Sequence, residues 1–167
     1  MYIVACIYKR NGAYGQEDVV KLEELTTDSF KGRTKFVCLT DDTSLAIKRV
    51  TTALLVHKDW SWPWTRLELF RSLIFPENER IVYLDLAFSR ERASDLPALL
   101  RELAGTKERL LVLPELRAAS FISGKFESAY MSFGRNAERI RQQTFSDMEW
   151  LRVACGNRLR IRTEEAA

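Results

Sequence analysis

The sequence predicts an α/β domain with a mostly parallel central sheet flanked by helices, and three observations carry that reading. First, apolar runs of strand length recur at residues 3–8, 34–39 and 80–86. They lack the in/out alternation of a sheet with one wet face, which suits strands buried on both sides. Second, segments with helical apolar spacing lie between them, and strand–helix alternation is the pattern of a parallel sheet covered by crossover helices. Third, each run ends in turn-forming or acidic residues: Asn11-Gly12, Thr40-Asp41-Asp42 and Asp85. In such sheets ligands bind beyond the C-terminal strand ends, so residues 9–15, 40–42 and 85–89 are expected on one rim.

The elements follow in order. Asn11 to Gly15 form a turn, since Asn and Gly tolerate positive φ. Residues 16–30 read as a helix with Val19, Leu22 and Leu25 on one face. Residues 47–56 are a weaker strand candidate. Pro63 suits the first turn of a helix, where its missing N–H leaves nothing unpaired. Trp64, Leu67, Phe70 and Ile74 continue that helix as a stripe widened by Leu69 and Leu73, until Pro76-Glu77-Asn78 breaks it. Ser94-Asp95 are expected to cap a helix carrying Leu96, Leu99, Leu100 and Leu103. Residues 109–113 read as a short strand, and residues 126–133 as an edge or mixed strand. Ser146 and Glu149 make a capping box for a helix through Trp150, Leu151 and Ala154, closed by Gly156-Asn157. Leu159 and Ile161 mark a last strand.

Composition bounds the class. The chain has 167 residues, 46% hydrophobic and 29% charged, which suits one globular domain. That domain is placed at residues 1–162, with a flexible polar tail at 163–167. The net charge of +3 is too mild to call for nucleic acid, yet it suits a small anionic ligand. Cys6, Cys38 and Cys155 are too few and scattered for a disulfide framework or zinc site, and Cys6 and Cys38 read as small core residues. Residues 1–8 are too short and lack the basic start of a secretory signal. No apolar stretch approaches the roughly 20 residues of a membrane helix. A cytoplasmic location is expected, and the oligomeric state is left open.

The chemistry concentrates at Tyr83-Leu84-Asp85-Leu86-Ala87. A carboxylate ending a buried strand needs a cation, a donor or water to offset its burial. Upstream lies Trp64-Thr65-Arg66-Leu67-Glu68-Leu69-Phe70-Arg71. This order, an aromatic-rich helix and then a strand ending in Asp, resembles the nucleotide-sugar glycosyltransferases of the GT-A fold, in particular the glycogenin-like branch. The resemblance runs from about residue 3 to about residue 152, is strongest over residues 34–42 and 64–86, and implies a nucleotide-diphospho-sugar transferase-like domain. It also implies binding of a nucleotide diphosphate sugar and transfer of a hexose. By position it assigns Tyr14 and Asp41 to the base and ribose, Arg66 to diphosphate charge, Asp85 to ribose and metal, and Asp147 to the sugars. Manganese or magnesium would enter with the nucleotide.

The departures sit at polar positions. The family's strand ends in Asp-x-Asp, whereas residue 87 is Ala, so Asp85 is the single metal carboxylate of the motif and free-protein metal binding is expected to be weak or lost. The family's C-terminal His ligand has no counterpart, because the only histidine is His57. Phe126-Glu127-Ser128-Ala129-Tyr130-Met131 stands where the family tends to read Phe-Asn-Ser-Gly-Val-Met. Ser146-Asp147-Met148-Glu149-Trp150-Leu151 stands where it reads Gly-Asp-Gln-Asp-Trp-Leu. Relatives also continue past this point. The chain therefore reads as a hexosyltransferase with an impaired metal site, or as a non-catalytic binding domain on the same scaffold. A haloacid-dehalogenase-type phosphatase also places Asp after an apolar strand, but it needs a second Asp at residue 87 and uses the first strand. Asp41, Asp42, Asp147 and Glu149 also have local roles as turn or first-turn helix residues. Trp60, Trp62 and Trp64 read as packing more than as a sugar platform.

Overall fold

In the computed structural model of the protein, which describes residues 1–113, 117–143 and 146–162, the first apolar run becomes β1 (Tyr2–Tyr8). Its side chains serve two cores in alternation, Ile3, Ala5 and Ile7 on one face and Val4, Cys6 and Tyr8 on the other. Every position of the run except Tyr2 is therefore buried, which is why it shows no polar alternation. β2 (Thr34–Thr40) and β3 (Val50–Leu54) extend the sheet to one side, and β4 (Arg80–Leu84) flanks β1 on the other, all in parallel. Beyond β4 lie β5 (Leu110–Leu113), β6 (Ala118–Ile122) and β7 (Leu159–Ile161). The seven strands run in the order β3-β2-β1-β4-β6-β5-β7. β6 is antiparallel to both its neighbours, and β5 and β7 pair in parallel.

Helices cover both faces. α1 (Gln16–Ser29) and α2 (Leu96–Gly105) bury Val19, Leu22, Leu96, Leu100 and Leu103 against one side. A 3-10 helix (Trp64–Phe70), α3 (Glu127–Gln143) and α4 (Asp147–Cys155) close the other with Trp64, Leu67, Phe70, Phe133 and Leu151. The capping box of α4 forms as read: the Glu149 N–H donates to Ser146 Oγ at 3.2 Å, and the Ser146 N–H to Glu149 Oε2 at 3.0 Å. Gly156, at φ 53°, ends that helix in a conformation disfavoured for other residues. Cys6, Cys38 and Cys155 are free and buried. Among the described residues no helix is long and apolar enough to cross a membrane. The tail assigned to 163–167 lies outside the described residues.

Several expected elements take another form. Residues 126–133 belong almost wholly to α3, not to a strand. Ala129, Tyr130, Phe133 and Ile140 are its buried residues, and their spacing of three and four outweighs the loose alternation. The antiparallel strand is β6, further upstream. The helix expected from Trp64 through Ile74 is a 3-10 helix that ends at Phe70, with Pro63 at its cap. The spacing 64–67–70 fits the three-residue period of 3-10 winding. Leu73, which the stripe included, is 98% exposed. Strand β4 stops at Leu84, and Asp85 caps a second 3-10 turn (Leu86–Ser89). The strand expected over 47–56 contracts to β3. Asp95 precedes α2, but its carboxylate turns to Arg92 at 3.0 Å and caps nothing.

Candidate functional site

Because β1, β2 and β4 run parallel, the loop after β1, Asp41 after β2 and Asp85 after β4 share one rim. A cavity of about 490 Å³ opens there, with Lys9, Tyr14, Trp62, Arg66, Asp85 and Arg117 among its walls. That volume suits a small organic ligand.

The β1–α1 loop sets two of these groups. A Cβ at Gly12 would stand 3.0 Å from the Lys9 carbonyl oxygen, so the turn favours glycine. The Lys9 ammonium donates to the carbonyls of Lys58 at 3.0 Å and Trp60 at 2.9 Å, tying this loop to the one after β3. The Tyr14 ring lies under the Arg90 guanidinium, 5.1 Å from its centroid. Arg90 is in turn held by Asp18 through contacts of 2.8 and 2.6 Å, and Asp18 also accepts the Gly15 N–H at 2.9 Å. The Arg90 hydrogen bonds hold the Asp18 carboxyl below its usual range against the opposing effect of burial. The start of α1 thus positions the Tyr14 ring.

Asp85 is 4% exposed. Its N–H donates to the Arg117 carbonyl at 3.1 Å, and its Oδ1 accepts the Ala87 N–H at 2.9 Å. Burial pushes its carboxyl upward, while the Ala87 N–H, Arg117 and Arg66 pull the other way. A folded value above the unfolded one means a stability contribution fully present below the unfolded pKa of about 4 and lost as pH rises through the folded value. Asp85→Asn keeps an acceptor for the Ala87 N–H. Chemical denaturation is therefore expected to show Asp85→Asn more stable than wild type at pH 7, with the gap closing at pH 3–4. A variant less stable at pH 7 would contradict this account.

Arg66 acts on Asp85 only through its charge and makes its ion pair elsewhere. It pairs with Asp147 at 2.9 Å, and its guanidinium lies 5.5 Å from the Trp62 ring centroid. Asp147 is buried in a separate small cavity with Tyr83, Met148 and Leu151. Its burial raises the carboxyl more than the Arg66 attraction lowers it. Asp41 is absent from the cavity wall and accepts the Arg10 N–H at 2.8 Å. Of the residues read from the sequence, the structure gathers Tyr14, Arg66 and Asp85 around the cavity, with Asp147 behind Arg66 and Asp41 bracing the loop.

Sequence reasoning placed Lys9 on the rim but gave it no role, read Trp62 as packing, and missed Arg117, yet all three line the cavity. Trp60 and Trp64 do pack, against His57 at 4.0 Å and Phe133 at 4.5 Å, but Trp62 is 44% exposed at the cavity. The available signal for Trp62 was its place between Ser61 and Pro63, ahead of the apolar stripe that starts at Trp64. Arg117 had none.

The resemblance implies a divalent cation at Asp85, and the donor set does not fit one held by the protein. Such cations want several oxygens. Asp85 offers one carboxylate with Oδ1 already accepting from Ala87, and Asp147 is taken by Arg66. Among the described residues no three His, Cys, Asp or Glu side chains gather into a metal-binding group.

The architecture is the α/β domain expected from the sequence, a mostly parallel central sheet with helices on both faces, and it recurs among solved structures. A solved structure with this arrangement is the 4-diphosphocytidyl-2C-methyl-D-erythritol synthase of Anaerococcus prevotii. It superposes with a TM-score of 0.58 at 9% identity, over 98% of this chain and 87% of that one. No protein-family profile matches the sequence. No curated protein matches it either.

Proposed function

We propose that the rim cavity binds a nucleoside diphosphate or nucleotide diphosphate sugar, with hexose transfer as its reaction. One observation carries the reading: a buried carboxylate at the end of β4 faces a ligand-sized cavity that also holds three cationic side chains and two aromatic rings. Tyr14 and Trp62 offer faces for a base or sugar, Asp85 can accept from ribose hydroxyls, and the cations suit phosphate oxygens. The similar synthase is named for a diphosphocytidyl product, and a ligand of that chemistry fits these groups. The glycogenin-like assignment, the hexose and the role of Asp41 and Asp147 in holding the ligand rest on the sequence resemblance.

A second reading, a binding domain without catalysis, draws on the Arg66–Asp147 pair. A carboxylate the resemblance assigns to the sugars is buried and engaged by a cation. Calorimetric titration with uridine and cytidine diphosphates tests both readings, beside an assay for nucleotide release from the corresponding sugar donors. Binding with release supports transfer; binding without release supports the second reading. Failure of every nucleoside diphosphate to bind would refute both. Tyr14→Ala is expected to weaken nucleotide binding about tenfold, the scale of one lost base–aromatic stack. An unchanged affinity would remove Tyr14 from the site.

A further inference from the structure

We propose that this cavity grips the diphosphate with Lys9, Arg66 and Arg117 and needs no divalent cation; the inference rests on the nucleotide-binding reading above. A diphosphate brings several anionic oxygens into a site, and something must offset them. A metal offsets them only if the protein supplies enough oxygens to hold it. Here the position two residues beyond Asp85 is Ala87, buried in the 3-10 turn, and its N–H already occupies Asp85 Oδ1 at 2.9 Å.

Cationic donors are present instead, and each retains capacity. The Lys9 ammonium has three N–H groups and two carbonyl partners, at 3.0 and 2.9 Å. Arg66 meets Asp147 through Nη2 and the Pro63 carbonyl through Nε, which leaves Nη1 uncommitted among the described residues. Arg117 is exposed, its charge acts on the Asp85 carboxyl, and its side chain makes no hydrogen bond or ion pair with the described residues, while its carbonyl accepts the Asp85 N–H at 3.1 Å. That backbone bond anchors the Arg117 residue at the cavity wall. Arg117 also sits at φ 50°, the left-handed region that few non-glycine residues occupy. A guanidinium can take two phosphate oxygens at once, so Arg117 is the strongest of the three donors for a diphosphate. Asp85, facing the same cavity, is left to hydroxyl groups of the ligand.

The test titrates wild-type protein with uridine diphosphate and inorganic pyrophosphate, once in excess EDTA and once in manganese chloride. The dissociation constant for uridine diphosphate is expected to agree within threefold between the two conditions; a larger gain with manganese overturns the proposal while leaving nucleotide binding intact. Arg117→Ala is expected to weaken both ligands at least fivefold in EDTA, with Arg117→Lys recovering part of the loss. A smaller effect of Arg117→Ala overturns the assignment of that residue. The side chain is exposed, so a melting curve matching wild type is expected for both variants. If uridine diphosphate fails to bind under either condition while pyrophosphate binds, the cationic site stands and the nucleotide reading falls. If neither binds, both fall.

Discussion

Glu68→Ala is expected to lower the unfolding free energy by about 3–5 kcal/mol, the scale of breaking a buried, charged hydrogen-bond network. Glu68 is fully buried. Its Oε1 accepts the backbone N–H groups of Val56 at 3.1 Å and His57 at 2.6 Å, and its Oε2 lies 3.3 Å from Arg71 Nε. Truncation would leave two backbone donors and a partly buried guanidinium without this partner. It would also free the loop after β3, whose Lys58 and Trp60 carbonyls hold Lys9 at the cavity. Glu68→Gln keeps an acceptor for the backbone donors, so it should cost only about 1–2 kcal/mol. Denaturant unfolding measures both: the midpoint should fall with little change in slope. A loss below about 1 kcal/mol for Glu68→Ala would show that this network does not hold the two elements together.

Ala87→Asp is the change that the resemblance marks as restoring a metal pair. Ala87 is 6% exposed, inside a 3-10 turn whose residues are all buried, and its N–H is bound to Asp85. A carboxylate there would be desolvated close to a second one. The expected result is a stability loss on the order of 2–4 kcal/mol and no manganese-dependent gain in uridine diphosphate affinity. Melting curves and paired titrations read the two effects separately. A well-folded variant that binds at least tenfold more tightly with manganese would show that the turn can open. It would also show that one carboxylate was all the metal site lacked.

The lower half of the chain was the more legible. Strands β1, β2 and β4 and helix α1 announce themselves because the pattern of their buried residues is set locally. Double-sided burial leaves no polar position between Ile3 and Tyr8, and single-sided burial gives α1 its three- and four-residue spacing. The capping box at Ser146 was equally plain, since both its hydrogen bonds close within four residues. Asp85 stood out for the same reason, as a carboxylate directly following an apolar run. The segment after residue 113 was harder. Residues 126–133 satisfied both a loose two-residue alternation and a helical spacing, and the choice fell to packing of Tyr130 and Phe133 against Trp60 and Trp64.

By itself, then, the sequence determined the layered α/β class, the rim on which Tyr14, Asp41 and Asp85 lie, and the absence of a second carboxylate at residue 87. Tertiary structure decided which of these groups meet. Arg66 and Asp147 pair across 81 positions, and Asp18 and Arg90 across 72, separations over which no local period operates. Lys9, Trp62 and Arg117 come together because parallel strands deliver their C-terminal ends to one edge, while β6 enters antiparallel beside β4 and brings Arg117 to Asp85. Periodicity records which face of an element is buried; it holds no information on which distant side chain fills the space opposite. That is settled by charge pairing and close packing once the sheet has formed.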